Sequence, residues 1–132
     1  MMPTIASTMV GALQPAVGPE AVNLVSALHL AAARGIQVVR VGLPANRDYS
    51  EYLEIAARAN GRTSDVSGAL LGAGHSRVVR LGQFHVDFIP QGSLLLLRNR
   101  DVPGVIGRVG TLLGDAGINI AEYHQSRLEA GG

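Results

Sequence analysis

Residues 98–121, RNRDVPGVIGRVGTLLGDAGINIA, decide how the C-terminal part of the chain folds. Pro103 suits the first position of a helix, where the N–H that proline lacks is not needed. Asp101 places a carboxylate near the positive end of that helix, and Gly117 can cap its other end. Between them an apolar stripe recurs at helical spacing. Its members are Val105, Val109, Leu112, Leu113 and Ala116. The pattern predicts a helix over residues 103–116.

β-rich runs flank this helix, Leu94–Asn99 before it and Ile118–Leu128 after it. Strand, helix and strand with short connections predict a right-handed βαβ unit. Gly107 and Gly110 each cost roughly 1 kcal/mol relative to alanine inside a helix. The expected reason for them is close packing on a sheet or on a neighbouring chain.

Residues 1–92 predict a separate α/β domain, joined to residues 93–132 at Pro90-Gln91-Gly92. The spacing of Ile5, Met9 and Leu13 predicts a first helix that ends before Pro15. A second, longer helix is expected to begin at Pro19 and to end at Gly35. Its apolar stripe would comprise Val22, Val25, Leu28 and Ala32. Residues 36–41 are β-rich and predict a strand.

Two hairpins are predicted in the rest of this domain. Strands over residues 49–59 and 63–71 are joined by Asn60-Gly61, since both residues tolerate a positive φ. Strands over residues 77–81 and 84–89 are joined by a type II′ turn at Gly82-Gln83. That turn would set Leu81 opposite Phe84, Val79 opposite Val86 and Arg77 opposite Phe88. Arg80, His85 and Asp87 would then lie on one face of the hairpin, and Arg77 on the other.

The fold class predicted is α+β: N-terminal helices packed on a mainly antiparallel sheet, followed by the βαβ unit.

Hydrophobic residues make up 47% of the 132 residues, charged residues 16%, and the net charge is +1. This charge implies no attraction to nucleic acid or to a membrane surface. The longest apolar-leaning stretch, residues 21–33, is shorter than the roughly 20 residues that span a bilayer. The absence of cysteine excludes disulfides and thiolate metal sites and fits a cytoplasmic protein.

The sequence contains no recognisable catalytic motif, and it predicts no catalytic residue and no metal site. There is no phosphate-binding loop and no complete dinucleotide fingerprint, and residues 72–74, GAG, predict a plain turn. The four histidines lack the spacing of metal ligands. No cofactor is expected on this chain.

The candidate binding site is the polar turn at the start of the C-terminal helix. Asn99 and Asp101 can present side-chain oxygens beside the backbone N–H groups of Val102 and Gly104. A ligand with an ammonium and a carboxylate suits such a place, because the carboxylate takes the N–H groups and the ammonium takes Asp101. The alternative is that Asp101 only complements the helix dipole and that Asn119 only begins a strand.

These residues resemble a known family. DVPG (residues 101–104), the small-residue helix and GINIA (residues 117–121) resemble the first half of an ACT domain, a regulatory βαββαβ module that binds amino acids. GALQP (11–15), VNLVSA (22–27), AAARGI (31–36), SGALLG (67–72) and FHVD (84–87) are similar to the intervening, or allosteric substrate-binding, domain of D-3-phosphoglycerate dehydrogenases. The resemblance covers residues 11–132 and predicts an intervening domain over residues 1–92 and a partial ACT domain over residues 93–132.

The resemblance implies a regulatory role in L-serine biosynthesis. The full-length enzymes oxidise 3-phosphoglycerate with NAD on domains that this sequence does not contain, so no catalytic residue is carried over. L-serine binds ACT domains of this family at a dimer interface. By position, the polar residues implied are Asn99, Asp101 and Asn119, helped by the amides of Val102 and Gly104. A homodimer or a higher homo-oligomer is therefore expected.

The intervening domain of some members carries a basic anion site. Arg77, Arg80 and His85 stand at positions that could serve it, although the expected register separates Arg77 from the other two. A solvated face beside Asp87 is the alternative interpretation.

Two functions remain open: a regulatory fragment of the dehydrogenase, or a stand-alone module that binds a phosphorylated metabolite or mediates oligomerisation. The sequence stops where an ACT domain would continue, which suggests a truncated product or fragment whose exposed apolar surface is buried by dimerisation.

Overall fold

The computed structural model describes residues 2–44, 49, 51–72 and 74–127, and for residues 2 and 3 only the backbone. The chain divides into two compact units, Met1–Pro44 and Ala45–Gly132. Helices and an antiparallel sheet confirm the α+β class. The expected domain boundary at residue 92 lies inside the second unit and stays a prediction, as does the packing of the helices on the sheet. None of the described helices is long and apolar enough to cross a membrane.

The first unit is a pair of helices, α1 (Met2–Val17) and α2 (Ala27–Ala33). Its core is a small cluster of buried side chains: Met9, Leu13, Val22, Ala27 and Ala31. The predicted end of α1 before Pro15 is wrong, because the helix continues for two residues beyond it. Proline lacks only its own N–H, and the N–H of Gly18 still reaches the carbonyl of Gln14 at 2.9 Å.

The second helix is shorter than predicted. The Asn23 side-chain oxygen accepts hydrogen bonds from the N–H groups of Val25 and Ser26, at 2.9 and 3.0 Å. The Ser26 hydroxyl in turn accepts one from the N–H of Asn23 at 3.1 Å. This reciprocal capping holds residues 23–26 in turns before the helix proper. The predicted start at Pro19 is therefore wrong, and Val25 lies outside the stripe with 92% of its surface exposed.

The predicted helix end at Gly35 is confirmed. Gly35 has a φ of 70°, its N–H reaches the carbonyl of Ala32, and the N–H of Ile36 reaches that of Ala31. This pair of bonds is the Schellman arrangement, which favours glycine because of its positive φ. The strand predicted over residues 36–41 is absent, and its apolar side chains are exposed. A strand requires a second strand for its ladder of hydrogen bonds, and the described residues of this unit form no other strand.

The second unit contains a four-stranded antiparallel sheet in sequential order. Its strands are β1 (Glu51–Ala59), β2 (Arg62–Leu71), β3 (His75–Leu81) and β4 (Phe84–Phe88). Both predicted hairpins are confirmed. Asn60 and Gly61 both have a positive φ, as a type I′ turn requires, whereas only Gly82 does so in the second turn, as in type II′.

The register of β3 differs from the prediction beyond its first pairs. Leu81 faces Phe84 as predicted, but Val78, rather than Arg77, faces Phe88. Between the pairs Arg80–His85 and Val78–Phe88, Val79 alone stands opposite Val86 and Asp87, so the extra residue in this pairing lies on β4. In the pairing with β2 the extra residue is Val79, because Ser67 pairs with Arg80 and the adjacent Gly68 with Val78. Arg80 and Arg77 thus pair with Ser67 and Ala69, which lie on one face of β2, and the predicted separation of the two arginines is wrong.

The C-terminal segment forms α3 (Val105–Asp115), which ends in a second Schellman arrangement at Gly117. The helix begins later than predicted, because Gly104, with a φ of 86°, precedes it and Pro103 lies in a turn. The strands predicted over residues 94–99 and 118–128 are absent from the described residues, where neither run finds a hydrogen-bonded neighbour.

The apolar stripe of α3 is only partly covered. Leu112 is 69% exposed, Val105, Val109 and Leu113 are half-buried, and no residue of the helix is fully buried. A Cβ added to Gly107 or Gly110 would meet nothing within 4 Å. The close packing expected of these glycines is therefore not made to any described residue of the same chain.

Candidate functional site

A cavity of about 340 Å³ lies at the N-terminal end of α3. Its walls come from the turn before the helix, the first turn of the helix and the end of the segment that follows it. The lining residues are Asn99, Asp101, Val102, Pro103, Gly104, Val105, Ile106, Tyr123, Gln125 and Arg127. Four of the five residues predicted to bind an effector therefore line one cavity: Asn99, Asp101, Val102 and Gly104.

Arg127 is a site residue that the sequence did not indicate. Its Nε lies 2.9 Å from Oδ2 of Asp101, across the cavity. The predicted topology could have indicated Arg127, because a βαβ unit brings the carboxyl ends of its two extended segments to the same edge. Asp101 follows the first segment, and Arg127 lies near the end of the second. The cavity thus holds one carboxylate and one guanidinium in contact.

The backbone donors of the site differ from those predicted. The N–H of Val102 donates to the carbonyl of Arg100 at 2.9 Å, so in this conformation it is not offered to a ligand. The side chain of Asn99 donates to the same carbonyl at 2.7 Å. The first bond of the helix runs from the N–H of Arg108 to the carbonyl of Gly104. Among the described residues, no group accepts from the amides of residues 104–107, which leaves several donors at the positive end of α3.

Asn119 is separated from the other predicted site residues. It follows the C-terminal end of α3 and does not line the cavity. The helix has 11 residues and is therefore about 16 Å long. A single small amino acid cannot contact Asp101 at one end of the helix and Asn119 at the other, so one chain alone does not assemble the whole predicted set.

The residues of the possible anion site share one face of the sheet. Arg77 pairs across the strands with Ala69, Arg80 with Ser67, and His85 with Arg80. Nε of Arg77 lies 2.6 Å from Oδ1 of Asp87, and this hydrogen bond raises the pKa of the arginine. The guanidinium is thus already paired with a carboxylate.

Arg80 connects the first three strands. Its guanidinium lies 2.9 Å from the carboxylate of Glu54 on β1 and 3.4 Å from that of Asp65 on β2. Its Nε donates to the hydroxyl of Ser67, which is fully buried. Desolvation lowers the pKa of Arg80, but the charge of Glu54 and its other partners outweigh it, and the pKa is raised. With three carboxylates beside two arginines, this face favours the alternative interpretation over an anion site, which stays a prediction.

No group of three or more histidine, aspartate or glutamate side chains within the described ranges is placed to hold a metal ion. His124 lies 3.4 Å from Glu122, at the surface.

Comparison with known proteins identifies both parts of the chain. The family model of the D-3-phosphoglycerate dehydrogenase intervening domain matches residues 2–82. The family model of the ACT domain matches residues 93–131. The matched ACT residues include the whole cavity, while the matched intervening residues include both helices of the first unit and β1 to β3.

Relatives of the chain come from archaea and bacteria. A D-3-phosphoglycerate dehydrogenase of Archaeoglobus fulgidus is 36% identical over 84% of the chain, and one of Synechocystis is 34% identical over 95%. One of Bacillus subtilis is 34% identical over 92% of the chain. The matches cover 21%, 22% and 23% of these relatives, so the chain spans about a fifth of their length. No solved structure matches the chain significantly. The resemblance found in the sequence is confirmed: this chain belongs to the D-3-phosphoglycerate dehydrogenase family, of whose regulatory region it carries the intervening and ACT domains.

Proposed function

We propose that the chain is a non-catalytic regulatory region of a D-3-phosphoglycerate dehydrogenase and binds L-serine in the cavity before α3. Oxidation of 3-phosphoglycerate with NAD, in the cytoplasm, would belong to domains outside these residues. The relatives carry the name of that enzyme, and the residues matched here are its intervening and ACT domains. Modules of the ACT type commonly bind small effectors, amino acids in particular.

The observation that carries the proposal is the pairing of opposite charges in the cavity. Asp101 supplies a carboxylate for an ammonium group. The amides at the start of α3, together with the helix dipole, favour a carboxylate at the same place. The cavity therefore offers a partner for each charged group that every α-amino acid carries.

Replacing Asp101 with alanine tests this proposal. The change removes the partner of the ligand ammonium, and a hydrogen bond to a charged group is worth about 1.5–3 kcal/mol. We expect Asp101→Ala to weaken L-serine binding roughly 10- to 150-fold in isothermal titration calorimetry. Asp115→Ala, at the other end of α3 and outside the cavity, is the control and should bind as the unchanged chain does. Unchanged binding by Asp101→Ala, or no heat with the unchanged chain at millimolar L-serine, would contradict the proposal.

We also propose that two copies of the chain associate through this module. The partly exposed apolar stripe of α3 and the open surroundings of Gly107 and Gly110 leave room for a second chain. Association would also resolve the position of Asn119, because a second copy can bring its Asn119 to the cavity of the first. The two copies would then complete the binding set that one chain leaves divided.

The two glycines allow this association to be tested. In Gly107→Ala combined with Gly110→Ala, each change favours the isolated helix by about 1 kcal/mol. If the glycines face a second chain, the added methyl groups overpack the contact, which typically costs about 1–3 kcal/mol. We expect higher helicity by circular dichroism together with weaker self-association by sedimentation equilibrium. Arg108→Ala, on a different face of α3, is the control. An unchanged dimerisation constant in the double variant would contradict contact at these glycines.

A further inference from the structure

We propose that Arg127 binds the carboxylate of the effector, so that the Asp101–Arg127 ion pair opens and each partner takes one charge of a zwitterionic amino acid. This inference rests on the proposed function and names the chemistry by which the cavity would select its ligand. It assigns a role to a residue for which neither the sequence patterns nor the comparisons give one.

The ion pair is placed to be exchanged. Arg127 and Asp101 lie far apart in the sequence, and their contact brings the end of the last described segment to the turn before α3. Nε is the nitrogen of Arg127 that contacts Asp101. Within the described part of the chain, its terminal nitrogens have no ion-pair partner, so the outer edge of the guanidinium can receive a ligand.

Breaking this pair costs little. Both side chains are more than half exposed, at 70% for Arg127 and 57% for Asp101. Ion pairs as exposed as this contribute little to stability, because water solvates the separated charges well. The Asp101–Arg127 pair therefore contributes little to the stability of the fold, and it holds two opposite charges side by side at the cavity.

The geometry of the two groups suits an α-amino acid. A guanidinium presents parallel N–H groups that match the two oxygens of a carboxylate, which lysine or asparagine cannot do in the same way. The free amides of residues 104–107 add donors on the same side as the helix dipole. Asp101, released from Arg127, accepts from the ammonium. A molecule with only one of these charges would leave Asp101 or Arg127 without its partner, so the cavity should discriminate against it.

The discriminating experiment uses two ligands that differ only at the carboxylate. At pH 6, well below the pKa of about 7.7–8.0 of an α-amino group beside an amide, L-serinamide keeps the ammonium and the hydroxyl of L-serine but has a neutral amide in place of the carboxylate. Titration calorimetry would compare both ligands on the unchanged 132-residue chain, on Arg127→Gln and on Arg108→Gln. Arg108 is exposed on α3 and does not line the cavity, so its variant controls for the loss of one positive charge.

We expect Arg127→Gln to weaken L-serine binding roughly 10- to 100-fold, the range for a lost charged hydrogen bond. L-serinamide, which no longer has to separate Asp101 from Arg127, should bind at least as well as to the unchanged chain. The preference for L-serine over L-serinamide should thus nearly vanish in Arg127→Gln and persist in Arg108→Gln. Circular dichroism should show the same helicity for all three proteins.

Three results would overturn the inference, and they are distinguishable. If the unchanged chain and Arg127→Gln bind L-serine equally, Arg127 is not the carboxylate ligand and the proposed function stands. If the unchanged chain binds no L-serine, the proposed function falls and the role of Arg127 falls with it. Equal weakening of both ligands by Arg127→Gln would also overturn the inference, because it would show a general effect on the cavity rather than recognition of the carboxylate.

Discussion

Leu13→Ala should destabilise the first unit by about 2–3 kcal/mol, at the lower end of the range for leucine-to-alanine changes in cores. Leu13 is 3% exposed and packs in a cluster of five buried residues. We expect the lower end of the range because the neighbours of Leu13 in so small a cluster can partly fill the space that the leucine side chain leaves. A unit that ends at Pro44 has little other buried surface to compensate. Urea unfolding followed by far-UV circular dichroism should show an earlier loss of the helical signal.

The control for this prediction is Leu24→Ala. Leu24 belongs to the same unit and undergoes the same chemical change, but it is 55% exposed. Surface substitutions of this kind usually change stability by less than about 0.5 kcal/mol. Equal urea midpoints for the two variants would show that the cluster around Leu13 does not hold the helices together.

Arg80→Leu should destabilise the sheet by about 2–3 kcal/mol. The variant leaves the carboxylates of Glu54 and Asp65 without their shared cation and the buried hydroxyl of Ser67 without its donor. Breaking a fully buried pair costs about 3–5 kcal/mol, and water reaches these side chains enough to reduce that figure. Amide hydrogen exchange should become faster in β1, β2 and β3 together, because Arg80 lies on β3 and contacts side chains of β1 and β2.

Arg58→Leu provides the matched control, since it also removes one positive charge from a strand and adds a leucine. Arg58 lies on β1, is exposed, and forms no ion pair with the residues that the structure describes. Its exchange rates should stay close to those of the unchanged chain. Similar acceleration in both variants would indicate an effect of charge or of surface hydrophobicity, and would remove the specific role given to Arg80.

The features predicted correctly are those that depend on neighbouring residues alone. Asn60-Gly61 and Gly82-Gln83 define their turns by their own backbone preferences, and Gly35 and Gly117 end their helices for the same reason. The sequence also contains a local signal against the early start predicted for α2. Asn23 and Ser26 stand three residues apart, the spacing of a reciprocal cap, and such a cap places the helix after Asn23 rather than at Pro19.

The features missed depend on which segments become neighbours. The bulge at Val79 cannot be predicted from the alternation of apolar and polar residues along β3. The strand has an acceptable apolar pattern both with and without the extra residue. The segments over residues 94–99 and 118–127 have the composition of strands, but neither pairs with another strand among the described residues. Arg127 joined the candidate site only through the meeting of two distant segments.

The extra residue at Val79 also affects where the length of this sheet can vary in evolution. A deletion of Val79 would restore regular pairing with β2 and leave Val78 opposite Gly68 and Arg77 opposite Ala69. Arg77 would thus stay on the side of the sheet where it meets Asp87. A deletion within the regular pairing of β1 with β2 would instead move the residues on one side of it to the opposite face. Length differences among homologous chains should therefore be found at Val79 and be rare within β1 and β2.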